Sequence, residues 1–333
     1  MTTQLDFHSS ALLQRLGKDN QWIILRDKIQ WHSLGQILKE TDDTGSHGGR
    51  PPYSAMTMFR AVLLGAWHGV SDEELELMLK VRIDFGQFCG LSLSHNVPDH
   101  TSIQRFRAKL VDRKLLEKCM KVINQELERL GLKVDKQGTF IVDSTVIRSQ
   151  ARPRNIIDTD EDPPSKSTSA DPDAAWTKKG KSFFYGYKEH QAVDSEGFIE
   201  HVHLTPANVH DGQELETIVS SLPEHTEEIG ADKGYASKDN RDLLKSKNIK
   251  DSIMHKAQRN NPLTETQIKH NKKISAFRFR VEQTFGIKKL HFDFHRASYR
   301  GLSRVAGQSF LKAICVNLLK AVRKLRIPQP LAT

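Results

Sequence analysis

The chain has 333 residues, 37% of them hydrophobic and 27% charged, with three cysteines and a formal net charge of +9. That is enough to bury a full core and, on length, to make two domains. With no run of about 18 apolar residues, no leader-like order in MTTQLDFHSSALLQRLG and no CxxC among Cys89, Cys119 and Cys315, nothing suggests a membrane protein, a secreted protein, a disulfide scaffold or a thiolate zinc site, and a reducing cytoplasm is expected.

Helical signals come first in the chain. Residues 54 to 68, SAMTMFRAVLLGAWH, have a Ser54 cap, helical apolar spacing and Gly69 as a stop. Ser71-x-x-Glu74 is a capping box that opens a second helix through Leu75, Met78 and Leu79. The Gly69-Val70-Ser71 turn between them resembles a helix-turn-helix hinge, as many helical hairpins do. A third helix begins at DHTSIQRFRAKL, with Ile103, Phe106 and Leu110 on one face. A fourth runs from about Arg113 to Leu130, with Gly131 as its stop. The first 135 residues therefore read as all-helical, and Trp22, Trp31 and Trp67 read as core residues because no basic residues alternate with them.

At Gln137 the period becomes extended. GTFIVDSTVIRSQ is a strand carrying Asp143, and the Pro-, Ser- and Asp-rich stretch at 151–176 is expected to be a mobile loop. SFFYGYKEHQAVD and GFIEHVHLTPA form a hairpin through Ser195-Glu196-Gly197. Then come a helix in DGQELETIVSSL, a short strand EEIGAD ending at Asp232, a helix near 237–247, a strand near 249–254 and a long helix across 264–290. Mixed three-layer α/β folds have this order. Residues 233–333 hold 23 of the 50 Lys and Arg but 6 of the 41 Asp and Glu. Such polarity suits a polyanionic partner such as DNA or RNA, and a solvated basic face would look the same.

Asp143 and Asp232 both close apolar segments. An Asp there reads first as a turn former, but a buried carboxylate also calls for a cation. Glu282 in SAFRFRVEQTFGIKKLHF is the best third acid. At about 100° per residue, Arg278, Glu282 and Lys289 share an arc of about 40° on one helix face. An exposed i, i+4 ion pair between Arg278 and Glu282 would produce the same pattern. Three carboxylates could bind the hard, oxygen-seeking Mg²⁺.

Asp143 in FIVDSTVI, Asp232 in GADKGYAS and Glu282 in RFRVEQTFG resemble the acidic triad of the DDE transposases of bacterial insertion sequences, with the insertion-sequence-five family closest and the insertion-sequence-four family related. The Arg-x3-Glu-x6-Lys spacing of those proteins is matched by Arg278, Glu282 and Lys289, while Ser275 stands where their Tyr is found. GRPPYSAMTMFRAVLLGAWHGVSDEELELML, FCGL, PDHTSIQRFR, FFYGYKEHQAVD and TPANVHDGQ extend the similarity over most of residues 49 to 312. The resemblance implies a helical DNA-binding domain at 1–135 and a ribonuclease-H-like catalytic domain at 136–333. It also implies cleavage at the ends of the element, with the 3′ hydroxyls joined to target DNA. The triad would hold two Mg²⁺ ions, for which Mn²⁺ may substitute, with Asp143 bridging them. Arg278, Lys289, Lys188 and His190 would face nucleic acid, and Asn208 and His210 would lie near the catalytic sheet. The implied partners are terminal inverted repeats and target DNA, bound by a homodimer or larger assembly in the nucleoid. Two other readings remain: a decayed or domesticated DNA-binding protein, and a zinc hydrolase using His201, His203, His210 and Asp211.

Overall fold

The computed structural model describes residues 7–42, 53–92, 96–134, 138–151, 171–257, 259 and 261–326. Most of the expected mobile loop, 152–170, lies outside these residues. The chain divides into two compact units, Met1–Leu132 with Asn317–Thr333, and Lys133–Val316. The stretch from Asn317, expected with the catalytic part, thus groups with the helices.

The first unit contains α1 (Phe7–Leu16), α2 (Gln21–Lys28), α3 (Gly35–Lys39), α4 (Ala55–His68), α5 (Asp72–Val81), α6 (Ile83–Cys89), α7 (His100–Asp112) and α8 (Leu115–Arg129). Capping chemistry sets most of these boundaries. The Ser71–Glu74 capping box forms both of its hydrogen bonds, and Asp99 caps α7 by accepting from the Ser102 amide. Ser54 holds the cap position of α4 without a side-chain bond, and Gly69 ends that helix in the left-handed region at φ 66°, where a Cβ would be strained. The tryptophans are core residues, as expected. The Trp22 and Trp67 rings meet edge-on at 4.9 Å, and the Arg60 guanidinium lies 4.9 Å above Trp31.

The second unit is built on a six-stranded sheet of β1 (Thr139–Arg148), β2 (Ala175–Lys179), β3 (Ser182–Asp194), β4 (Ile199–Pro206), β5 (Glu228–Ala231) and β6 (Lys250–Ile253). β1 is antiparallel to β3 and parallel to β5, β4 is antiparallel to β3, and β6 is parallel to β5. The order β4-β3-β1-β5-β6 with these senses is the ribonuclease-H-like fold, and β2 adds to the start of β3. α9 (Leu215–Ser221) and α10 (Lys238–Ser246) bury Leu215, Ile218 and Leu244 against Phe140, Val142 and Ile229. Alternation along β1 sends Ile147 to the opposite face, where it meets Tyr187, Phe294 and Val305. α11 (Glu265–Gly286) starts at a complete Thr264–Gln267 capping box and runs on into a π-helical turn, Ile287–His291.

Two features depart from expectation. The loop assigned to 151–176 ends early, because β2 begins at Ala175 and Asp171 is fully buried. Asp171 accepts from Ser149 Oγ at 2.5 Å, Tyr187 Oη at 2.5 Å and the Gly301 amide at 3.0 Å. The second is α12 (Leu302–Arg326), which sequence periodicity did not single out. It is long and apolar enough to cross a membrane, but 83% of its apolar window is buried inside the protein, the property of a core helix.

Candidate active site

Register brings the two aspartates together. Val142 of β1 pairs with Ala231 of β5 in parallel, and Asp143 and Asp232 each follow one residue later, on strands about 4.8 Å apart. Asp143 does not close its strand, as the sequence suggested. β1 continues to Arg148, so Asp143 projects from the middle of a paired strand and the turn-former reading falls away. Asp232 does end its strand and accepts a hydrogen bond from the Gly234 amide. A Cβ at Gly234 would meet Asp232 Oδ1 at 2.8 Å and Asp211 Oδ2 at 3.6 Å, so the tight turn places Asp211 beside Asp232.

α11 supplies the cations. Arg278 Nη2 donates to Asp143 Oδ2 at 2.6 Å, and both side chains are largely buried. Glu282 lies 3.6 Å from the same guanidinium, with its side chain 60% exposed. The i, i+4 pair read as the alternative therefore exists, but its arginine is held by Asp143. Burial raises the Asp143 carboxyl above its ordinary range against the lowering effect of Arg278, and the Asp232 carboxylate raises it further. Burial alone would lower Arg278, but Asp143, Asp232 and Glu282 outweigh it and raise that group. Seven residues beyond Glu282, in the π-helical turn, Lys289 Nζ donates to Thr145 Oγ1 at 2.5 Å and to the Val146 carbonyl at 3.2 Å. Asp143 and Thr145 share one face of β1, so Arg278 and Lys289 both meet that strand.

Other candidate residues have structural duties. His190 is fully buried, with Nε2 3.0 Å from Thr205 Oγ1 and Nδ1 3.4 Å from Tyr235 Oη. Direct contact with nucleic acid is closed to it, which corrects the expectation. Burial pushes its pKa down to about 3. Lys188 Nζ binds the Val209 carbonyl at 2.6 Å and Asp211 Oδ1 at 2.8 Å, anchoring the turn after β4. Asn208 and His210 are exposed on that turn, and His210 Nδ1 accepts from the Gly212 amide at 3.2 Å. Two residues here escaped sequence reading. Asp211 was weighed only as a zinc ligand, and Tyr235 is a buried phenol raised well above its ordinary pKa by burial and by Asp211, Asp143 and Asp232. The GADKGY segment that marked Asp232 also contains Tyr235.

No cluster of three or more His, Cys, Asp or Glu ready to hold a metal ion occurs among the described residues. That absence does not separate zinc from an oxygen-bound ion; the zinc reading fails on the separate duties of its ligands, since His203 pairs with Glu214 at 3.0 Å and Asp211 pairs with Lys188. An oxygen-binding divalent ion fits better, because the donors are carboxylates and buried Asp143 already draws a cation to itself. Asp143 and Asp232 would hold such an ion, and Glu282 would reach it by turning in from solvent.

The sheet is that of the ribonuclease-H-like folds, with Asp143 on β1, Asp232 just past the end of the neighbouring parallel strand β5, and Arg278 of α11 on Asp143. A family model described as "Transposase DDE domain" matches residues 135–318, more than half of the chain, and a second transposase-domain model matches residues 10–109. A "Transposase for insertion sequence element IS1106" from Neisseria meningitidis serogroup B is 42% identical over 228 residues, spanning 67% of this chain and 79% of that one. The chain thus belongs to the DDE-domain transposases of insertion sequences, which are DNA transposases. A solved pre-cleavage Mos1 transpososome aligns over 85% of this chain and 82% of its own at 12% identity and a TM-score of 0.23, too slight a likeness to carry an argument.

Proposed function

We propose that this transposase cuts DNA at the ends of its insertion sequence and joins the freed 3′ hydroxyls to target DNA, with Asp143, Asp232 and Glu282 as its catalytic acids. The observation that carries this reading is the pairing of Val142 with Ala231, which sets Asp143 and Asp232 side by side beneath Arg278 and Glu282. Divalent ions such as Mg²⁺ held there would supply an activated oxygen nucleophile and a stabilised leaving oxygen for in-line displacement. Asp143, which is far more enclosed than Glu282, would hold the metal together with Asp232 and Glu282. Arg278 and Lys289 position phosphates without reading sequence. Lys188 acts one step removed, by fixing Asp211 and the turn beside Asp232. The helical part at 1–135 recognises the terminal inverted repeats, and two or more chains assemble on the DNA. Membership of the insertion-sequence-five group rests on the sequence motifs, with Ser275 as the departure.

The test is Mg²⁺-dependent nicking of DNA carrying the element ends. Asp143→Ala, Asp232→Ala and Glu282→Ala should each abolish cutting while the proteins still shift the DNA in a gel. Cutting by any of the three, or by wild type in EDTA, would refute the assignment. A wild-type protein that binds ends and never cuts would favour the domesticated DNA-binding reading.

A further inference from the structure

Arg278 is an incomplete partner for Asp143. A guanidinium carries five donors in a planar fork and can grip a carboxylate with two parallel bonds. Here Nη2 alone reaches Oδ2, at 2.6 Å, and the Nε of the same side chain is buried with no hydrogen-bond partner. Glu282 does not complete the set, since 3.6 Å exceeds a hydrogen bond. The buried Lys288–Glu189 pair, at 2.6 Å, also leaves one buried atom, Glu189 Oε2, without a hydrogen bond, but it differs in that both of its side chains are sealed from solvent. Arg278 keeps 18% of its side chain exposed. One bond, one orphaned N–H and partial exposure describe a contact that can open.

We propose that Arg278 is an exchangeable counter-cation for Asp143. In the metal-free protein its guanidinium holds the carboxylate oxygen that a divalent ion takes, and arrival of the ion turns the guanidinium out toward a DNA phosphate. The inference rests on the assignment of Asp143 as a metal ligand. It makes Arg278 a positioning residue with two successive anions. Metal binding then displaces a cation already in place, so the free protein binds metal more weakly than its carboxylates would alone. A phosphate that takes up the released guanidinium recovers that loss, and the coupling is reciprocal.

The experiment is Mn²⁺ binding to the full chain without DNA, followed by electron paramagnetic resonance, for wild type, Arg278→Gln, Arg280→Gln and Asp143→Asn. If Arg278 occupies Asp143 about nine-tenths of the time, Arg278→Gln should bind Mn²⁺ about tenfold more tightly. Arg280, whose guanidinium lies over the Phe277 and Phe279 rings rather than on a carboxylate, controls for simple loss of positive charge, and its variant should stay within about twofold of wild type. Unchanged or weaker binding by Arg278→Gln overturns the exchange, as does equal tightening by Arg280→Gln. Mn²⁺ binding that survives in Asp143→Asn brings down the metal-ligand assignment itself, and the exchange with it. Should Arg278→Gln fail to fold, the ¹⁵N signal of the Arg278 Nε–H in wild type, assigned with Arg278→Lys, decides the matter. Mg²⁺ should shift it and free rotation about Nε–Cζ, and a signal unmoved at saturating Mg²⁺ rejects the proposal.

Discussion

Lys289 shows what spacing can and cannot convey about a single residue. Its place on the face of Arg278 and Glu282 was legible, because seven residues are close to two helical turns. Its bonds to Thr145 and Val146 were not, because they depend on how far the helix stands from β1. From sequence alone Lys289→Ala looks like a surface change worth under about 0.5 kcal/mol. The two bonds raise the expected cost to about 1–2 kcal/mol, measurable as a lower urea midpoint at unchanged slope, together with a salt dependence of DNA binding reduced by about one phosphate. A midpoint equal to wild type would mean that the bonds contribute nothing. His190 was misjudged for the opposite reason: YGYKEH marks a segment, and only strand register tells which of its residues faces inward. Burial holds its folded pKa at about 3, against 6.5 as the ordinary value. Between those pH values the unfolded chain binds the extra proton, so folding stability should fall as pH falls from about 6.5 to about 3. His190→Gln should flatten that limb in urea titrations across the window, and an unchanged slope would assign the acid sensitivity to other groups.

Among the elements, the end of α11 was least legible. A continuous helix was expected across 264–290, and the first 22 residues obey it. The π-helical turn that follows widens the spiral, so that Lys288 reaches Glu189 in the interior while its neighbour Lys289 reaches β1. Two adjacent lysines look equivalent in a basic sequence, and nothing in their spacing says that one is sealed. A fully buried pair is costly to break and cheap to replace as a whole. Lys288→Met alone should therefore cost about 3–5 kcal/mol, as should Glu189→Leu alone, whereas the double variant should recover most of the loss. Chemical denaturation of the three proteins forms the cycle. Additive losses would show that the two residues do not act as a pair.

For the whole molecule, the succession of strands and helices along the chain and the change from helices to strands were legible because both are periodicity signals, whereas the order of strands within the sheet was implied only by the family resemblance. α12 was not, since a helix apolar around most of its surface has no stripe to reveal it, and the division of the chain at Val316/Asn317 falls inside it. The end of α12 belongs to the helical unit in specific ways. Buried Asn317 donates to Asn124 Oδ1 at 2.8 Å, Lys324 Nζ to the Leu132 carbonyl at 2.6 Å, and Arg326 to the Asp19 carbonyl at 2.6 Å. A fragment ending near residue 134 would leave Asn124 and the surrounding apolar surface uncovered. It should unfold at lower temperature, and less cooperatively, than the same fragment carrying residues 317–333 on a flexible Gly/Ser linker. Circular dichroism melts distinguish the two, and equal melting would show that the last helix is dispensable to this unit. The linked fragment is also the right one for end recognition. If the helical part reads the terminal repeats, it should shift end DNA in preference to random DNA at matched salt, whereas discrimination confined to residues 133–316 would move end recognition to the catalytic unit.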